Sequence, residues 1–442
     1  MTNQDSELSV DQATALLLAD LDRDGGPKPL AREQVEVEAA IGRVLAEPCH
    51  ARWPLPSAPL SIMDGYAVRT RDLLAARDQG DAPVVLLVGS ESAAGHPARD
   101  ELEPGTCARI STGAVVPAGA DAVIAQEDTR RIAVPSEPGA GAPGTRVVIE
   151  LSATALREVA PGRHIRPTGS DVADGELLLD AGTEIAGGEA SLLAGTGNFT
   201  VGVYCRPRVA ILSSGDELVP IGQTPGRGQI VSTNAMLLAA QIREAGGEPI
   251  ELGSVADTPV AVRAAIEHAR DHADLLIASG GISVGDHDLM LPVLELLGFE
   301  RRFRKLALRP GRPTTYGQLP PGGGRWPGTG MLVLALPGNP ASTLVAFELF
   351  GRPLIRALSG LPRHRWLRPR RVVELSGPAE GDRRREHFVR AKLDADGRAL
   401  PLDKQLSGAL RSIAGFDALV RVPAGRLRVE AGEQLDALIL RE

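Results

Sequence analysis

The sequence predicts a multidomain α/β protein: an α+β N-terminal domain interrupted by an inserted β domain, then a parallel α/β domain, then a small C-terminal β-barrel. Three observations predict it. At 442 residues the chain is too long for one ordinary core, and about three or four domains are expected. Between Arg208 and Leu358 three short apolar runs each break into a loop with Gly or Ser and then a helical pattern, as strands buried on both faces of a parallel sheet do. On either side, at 82–150 and 371–442, the pattern changes to short strands divided by Gly and Pro turns.

Composition narrows the function classes. Hydrophobic content of 43% with 24% charged residues fits a soluble globular protein. Aromatics at 3% and a net charge of −8 argue against a general nucleic-acid binder. Cys49, Cys107 and Cys205 are widely spaced, which indicates neither a disulfide framework nor a thiolate zinc site. The polar N-terminus and the lack of an 18-residue apolar run lead us to expect a cytoplasmic protein with no membrane span.

Taken in order, residues 8–22 carry a helical pattern with Ser9 as N-cap and Gln12 three residues on. Val35–Ala46 reads as a short strand followed by a turn or short helix that ends at Pro48. Pro54, Pro56 and Pro59 impose an extended segment. We place the inserted β domain at 51–150, with a Gly/Pro/Ala-rich hairpin tip at 135–144. The N-terminal domain then comprises 1–50 and 151–205, with a helix over 184–195. The α/β domain spans 206–360, with helices near 234–245, 259–271, 288–298 and 340–357. The barrel spans 361–442, and its opening basic run, 362–371, reads as an interdomain linker rather than a nucleic-acid contact.

In open α/β sheets ligands bind beyond the carboxyl ends of the strands, so the three loops hold the candidate site. Ser279-Gly280-Gly281-Ile282-Ser283-Val284-Gly285 suits a phosphate, because glycines let successive N–H groups face one ligand; it also suits an ordinary tight turn. In Pro337-Gly338-Asn339-Pro340, Asn339 and Pro340 read as an N-cap and N1 pair. Between these loops, Lys305 and the stretch Arg309-Pro310-Gly311-Arg312-Pro313 offer a cationic clamp stiffened by proline, with a plain surface turn as the alternative. Asp216, Glu217, Asp257, Asp286 and Asp288 supply hard oxygens for Mg²⁺ beside a phosphate, although Asp257 and Asp288 also sit where helices start. His287, single and unpaired in the pattern, reads as a loop residue.

Taken together, the chain resembles the molybdopterin molybdenumtransferases, the MoeA-type proteins related to the gephyrin E domain. Five stretches carry the resemblance, in the family's order: Ser61 to Val68 (Ser-Ile-Met-Asp-Gly-Tyr-Ala-Val); Ile110 to Ala114 with Pro117 to Val123 and Glu127; Ser214 to Leu218; Ser279 to Gly285 with Asp288; and Leu336 to Ser342. The resemblance implies an elongated first domain, a molybdopterin-binding α/β domain, and a homodimer in which one subunit's N-terminal region completes the other's site. It implies transfer of molybdate to adenylylated molybdopterin, with Mg²⁺-dependent release of AMP. Asp64, Thr112, Glu217, Arg309, Arg312 and Ser342 would be catalytic. Ser279, Gly280, Gly281, Ser283, Gly285, Lys305, Pro310, Gly311, Pro313, Pro337, Gly338, Asn339 and Pro340 would bind the pterin substrate, and Asp216, Asp257 and Asp288 the metal. It further implies transient contact with the adenylyltransferase and with molybdoenzymes. Two departures stand out: Arg309 and Arg312 replace the family's lysines, and Gly415-Phe416-Asp417-Ala418 replaces a motif with Ala-Asn. A divergent non-catalytic paralogue on the same fold is the alternative they open. The long N-terminal region disfavours a lone adenylyltransferase domain.

Overall fold

The computed structural model describes residues 7–22, 29–77, 84–135, 145–281, 289–321 and 330–441. At its centre is a sheet of β1 (Arg208–Ser214), β2 (Glu248–Val255), β3 (Leu275–Ser279), β4 (Glu300–Arg304), β5 (Thr315–Leu319) and β6 (Met331–Leu336). Their order across the sheet is β2-β1-β3-β6-β5-β4. The first four are parallel, as the apolar runs predicted, whereas β5 and β4 add an antiparallel edge. That edge escaped the sequence reading because β4 is Glu-Arg-Arg-Phe-Arg and buries fully only Phe303.

The continuous apolar runs have a direct cause. Val209 and Ile211 of β1, with Leu275 and Ile277 of β3, enter one core with Leu238 and Ile242. Their neighbours Ala210, Leu212, Leu276 and Ala278 enter a second core with Val262, Ile266, Leu291 and Leu294. Both faces are therefore covered by helices: α1 (Thr233–Ala245), α2 (Pro259–His272), α3 (Met290–Leu296) and α4 (Pro340–Ala346). Thr258 caps α2, its hydroxyl accepting from Ala261 N–H at 3.3 Å. The chain leaves β1 for β2 on one side and reaches β3 on the other, so the loops after β1 and β3 diverge and open a crevice.

The N-terminal part is threaded out and back. Arg32–Glu36 pairs antiparallel with Thr200–Tyr204, Cys49–His50 with Leu177–Leu179, and Leu60–Ser61 with Ile165–Arg166. Between these ladders lies a second six-stranded sheet that includes Gly65–Val68, Thr106–Ile110 and Ala122–Ala125. Thr129–Pro135 and Thr145–Leu151 pair antiparallel in it, and the tip expected between them lies outside the described residues. A Cβ at Gly65 would lie 1.9 Å from Ile124 O, so this glycine is required by the approach of two strands. The helix Val10–Asp22 starts as read, with Ser9 and Gln12 exchanging bonds of 2.9 and 3.1 Å. Its buried face packs on the central core, and the Tyr316 hydroxyl donates to Asp20 at 2.7 Å.

At the C-terminus, Arg370–Glu374, Gln434–Ile439, Ala418–Val422, Glu386–Leu393 and Ala399–Pro401 pair in succession. A bridge from Leu375 to Ala399 closes the ring around Val389, Ala391, Val420 and Ala437. The basic run is pinned within the chain: Arg363 pairs with Asp22 at 2.6 Å, Arg365 with Glu184 at 2.8 Å and Arg368 with Glu348 at 2.9 Å.

Candidate functional site

A cavity of about 1120 Å³ lies at the carboxyl ends of β1, β3 and β6, walled on its far side by Arg385 and the segment 405–410 of the barrel. Of the residues singled out in the sequence, Glu217, Asp257, Ser279, Gly280, Gly281, Arg309, Pro310, Gly311, Arg312, Pro313, Pro337, Gly338, Asn339, Pro340 and Ser342 line it. Asp64, Thr112, Lys305 and Asp216 do not. Ser283, Gly285, Asp286, His287 and Asp288 lie outside the described residues.

The two glycine loops touch. Gly280 takes φ 92°, and a Cβ there would lie 2.9 Å from Ser214 O, so only glycine fits. Gly280 N–H donates to Leu336 O at 3.1 Å, and a Cβ on Gly338 would meet Gly280 Cα at 3.4 Å. Asn339 occupies the capping position before Pro340, but its side chain does not cap. Its amide donates instead to Ser407 Oγ at 3.0 Å, while Ser407 O accepts from Ala341 N–H at 3.0 Å. The expected cap is thus spent on holding the barrel segment over the loop.

Of the acids, Asp216, Glu217 and Asp257 lie close enough to act on one another. Burial and the charges of Asp216 and Glu217 push the Asp257 carboxyl above its ordinary value, opposed by bonds from the Asp216 N–H and the Ser214 hydroxyl. A Cβ at Gly215 would lie 2.6 Å from Glu217 Oε2, so the glycine lets that carboxylate fold back over the turn.

The arginine clamp takes a different form from the one the sequence suggested. Leu308–Arg309 joins Glu386–His387 of the barrel as a short parallel ladder. The Arg309 guanidinium donates to Gly381 O at 3.0 Å and lies 3.8 Å from Glu380. Arg312 is paired with Glu7. The loop is rigid, with Leu306 N–H donating to Arg312 O at 2.7 Å and Thr314 Oγ to Gly311 O at 2.7 Å, but its two cations point to separate partners. Lys305 takes a left-handed backbone at φ 59°, and its carbonyl accepts from Leu8 N–H at 3.3 Å; it supports the N-terminal segment.

Asp64 and Thr112 meet each other. The Thr112 N–H and hydroxyl donate to Asp64 Oδ1 at 2.7 and 3.1 Å, which holds this exposed carboxyl below the usual range.

Sequence reasoning missed two groups. Asn234, on α1, lines the cavity and donates to Ser279 Oγ at 2.9 Å and to Gly338 O at 2.6 Å. Behind the cavity wall, Arg390 is fully buried and exchanges backbone bonds with the lining residue Gln405 at 2.8 and 3.1 Å. Its Nη2 donates to Ser412 Oγ at 3.2 Å, but Nε and Nη1 have no partner. Burial, then the charge of Arg309, pushes its guanidinium down to about 10. His387 beside it is also fully buried, with Nδ1 2.6 Å from Glu380 O and Nε2 unpartnered.

Three family models cover the chain: the MoeA N-terminal region (domain I and II) over residues 8–197, a probable molybdopterin binding domain over 210–357, and the MoeA C-terminal region (domain IV) over 373–440. A curated relative from Nostoc sp., named molybdopterin molybdenumtransferase, is 37% identical over 92% of this chain and 88% of that protein. The chain belongs to the molybdopterin molybdenumtransferase family. A second relative of that name, from Bacillus subtilis, is 33% identical over 93% of this chain and 90% of its own length. A solved structure of the molybdopterin biosynthesis MoeA protein from Pyrococcus horikoshii matches 99% of this chain and 100% of that one, with a TM-score of 0.78 at 29% identity. As a molybdenumtransferase family member the chain is an enzyme of molybdenum cofactor biosynthesis. Among the described residues no helix is long and apolar enough to cross a membrane.

Proposed function

We propose that this molybdenumtransferase transfers molybdate to the dithiolene of adenylylated molybdopterin, with Mg²⁺-dependent release of AMP, as a cytoplasmic homodimer. The observation that carries the reading is the composition of one cavity: glycine loops on one side, carboxylates at its edge, arginines toward the barrel. Backbone N–H groups of the Gly280 and Gly338 loops receive phosphate oxygens. Molybdate, a substrate, enters at the barrel side, where Arg309 and Arg385 line the wall and Arg390 lies behind it with Nε and Nη1 unpartnered among the described residues.

The donor set fits Mg²⁺. Glu217 and Asp257 line the cavity, and the Asp257 carboxyl, raised by burial and then by the charges of Asp216 and Glu217, is one whose ionised form a nearby cation would favour. Mg²⁺ is commonly held by one or two carboxylates together with phosphate oxygens and water. Glu217 and Asp257, with Asp216 and Asp288, would hold it, and when bound it offsets charge on the phosphate oxygens.

Asp64 and Thr112 form an exposed pair away from this chain's own cavity, which supports a role in the partner's site. The adenylyltransferase that supplies the substrate and the molybdoenzymes that receive the product are the partners this reading implies. The engagement of Arg309 with Gly381 and of Arg312 with Glu7 favours the alternative of a non-catalytic paralogue. Complementation of a strain lacking its own molybdenumtransferase separates the two. Restored molybdoenzyme activity supports the enzyme, and a stable but inactive protein supports the paralogue.

A further inference from the structure

We propose that Asn234 is a positioning residue that fixes the gap between the two glycine loops and presents its amide oxygen to an N–H of the substrate's heterocycle. The inference rests on the reading that this cavity takes the adenylylated pterin.

Asn234 is the second residue of α1, and one nitrogen serves both loops: Ser279 Oγ after β3 and the Gly338 carbonyl after β6. The two hydrogens of an amide NH₂ diverge at a fixed angle, so satisfying both acceptors sets the two loops relative to α1 at once. The orientation of the side chain follows from the same contacts. The Gly338 carbonyl can only accept, so the group facing it at 2.6 Å is the NH₂. The Oδ1 atom is therefore the one left over, and it is buried without a partner among the described residues, on a residue that lines the cavity.

A buried acceptor left empty is costly, and its retention calls for a donor that arrives with the ligand. Phosphate diester and molybdate oxygens carry no hydrogen to give at neutral pH. A nitrogen heterocycle does, both on the pterin and on the adenine. Asn234 thus keeps the loops in register for the anion and reads the ring at the same time. The Ser213 hydroxyl, also buried, unpartnered and lining the cavity, adds a second uncharged polar group at the end of β1.

The test is calorimetric binding of molybdopterin, AMP and adenylylated molybdopterin to the parent, Asn234→Ala, Asn234→Asp, Ser279→Ala and the Asn234→Ala/Ser279→Ala pair. It is paired with steady-state kinetics and melting curves. Asn234→Ala should weaken adenylylated molybdopterin roughly tenfold to hundredfold, raise KM more than it lowers kcat, and lower the melting midpoint by only a few degrees, leaving the protein folded at the assay temperature. Asn234→Asp should be worse, because it sets a carboxylate against the Gly338 carbonyl. The double variant should lose less than the product of the single losses, since Asn234 acts partly through Ser279. Loss confined to molybdopterin assigns the donor to the pterin, and loss confined to AMP assigns it to adenine. Parent-like binding in Asn234→Ala, activity that merely follows the folded fraction, or multiplying losses would overturn the inference. A parent that binds none of the three ligands removes the reading of the cavity itself.

Discussion

Replacing Arg390 by methionine is expected to stabilise the protein and to remove its response to molybdate. Arg390 is fully buried, has no partner on Nε or Nη1 among the described residues, and has its guanidinium pushed down from its ordinary value to about 10. A displacement of that size disfavours the charged form in the fold by about 3 kcal/mol. Methionine keeps much of the volume without charge or donors, and the bonds to Gln405 use the backbone and survive. Lost are the contact with Ser412 and the weak one with Lys404 O at 3.5 Å. The net gain should be about 1–3 kcal/mol, in line with other replacements of buried ionic groups by apolar ones, and several degrees in the melting of the barrel. The assay is a melting curve with and without molybdate. The parent should melt higher as molybdate fills the empty donors, and Arg390→Met should melt high in both. A destabilised variant would show that Arg390 is a structural residue. A variant that still responds fully to molybdate would place the anion elsewhere.

Three further outcomes follow from the same geometry. Burial pushes His387 down to about 4, below its ordinary 6.5, so the unfolded chain takes the proton first. Its contribution is complete above pH 6.5 and is lost as pH falls toward 4; the melting midpoint should drop between pH 6.5 and 5 in the parent and less in His387→Gln. If Asp64 serves the partner's cavity, mixing inactive Asp64→Asn and Glu217→Gln subunits should restore about a quarter of parent activity, because half the dimers are mixed and carry one intact site; no recovery would confine Asp64 to its own chain. Glu7→Ala should lower the molybdate concentration needed for insertion and Arg312→Ala should raise it. Each change should stay under about fivefold because the pair is partly exposed, and a molybdate titration reads both.

What the sequence made legible was whatever periodicity or backbone demand controls. β1, β3 and β6 were readable because burial on both faces leaves 209–212, 275–278 and 331–336 wholly apolar. The Ser9 cap and the glycine loops were readable because the local chain dictates them. Asn339 and Pro340 take the N-cap and N1 positions as read, but the position before Pro340 says nothing of a hydroxyl 68 residues away that draws the Asn339 side chain off the helix end. The partners of the two loop arginines were hidden for the same reason: Glu7 and Gly381 lie 305 and 72 residues distant. Arg390 was hidden by alternation itself. Val389 and Ala391 face the barrel core, so Arg390 reads as facing solvent. The segment carrying Lys404, Gln405 and Ser412 folds against it, a contact that alternation along the strand does not foretell.

The most direct measurement of the central claim is a single-turnover reaction of the purified protein with adenylylated molybdopterin, following AMP release and reconstitution of an apo-molybdoenzyme. Both products should appear together, require molybdate and Mg²⁺, and fall by at least about tenfold in Asp257→Asn with folding intact. Tight binding of the substrate with no AMP released at any molybdate or Mg²⁺ concentration would contradict it, and would leave a cofactor-binding paralogue in its place.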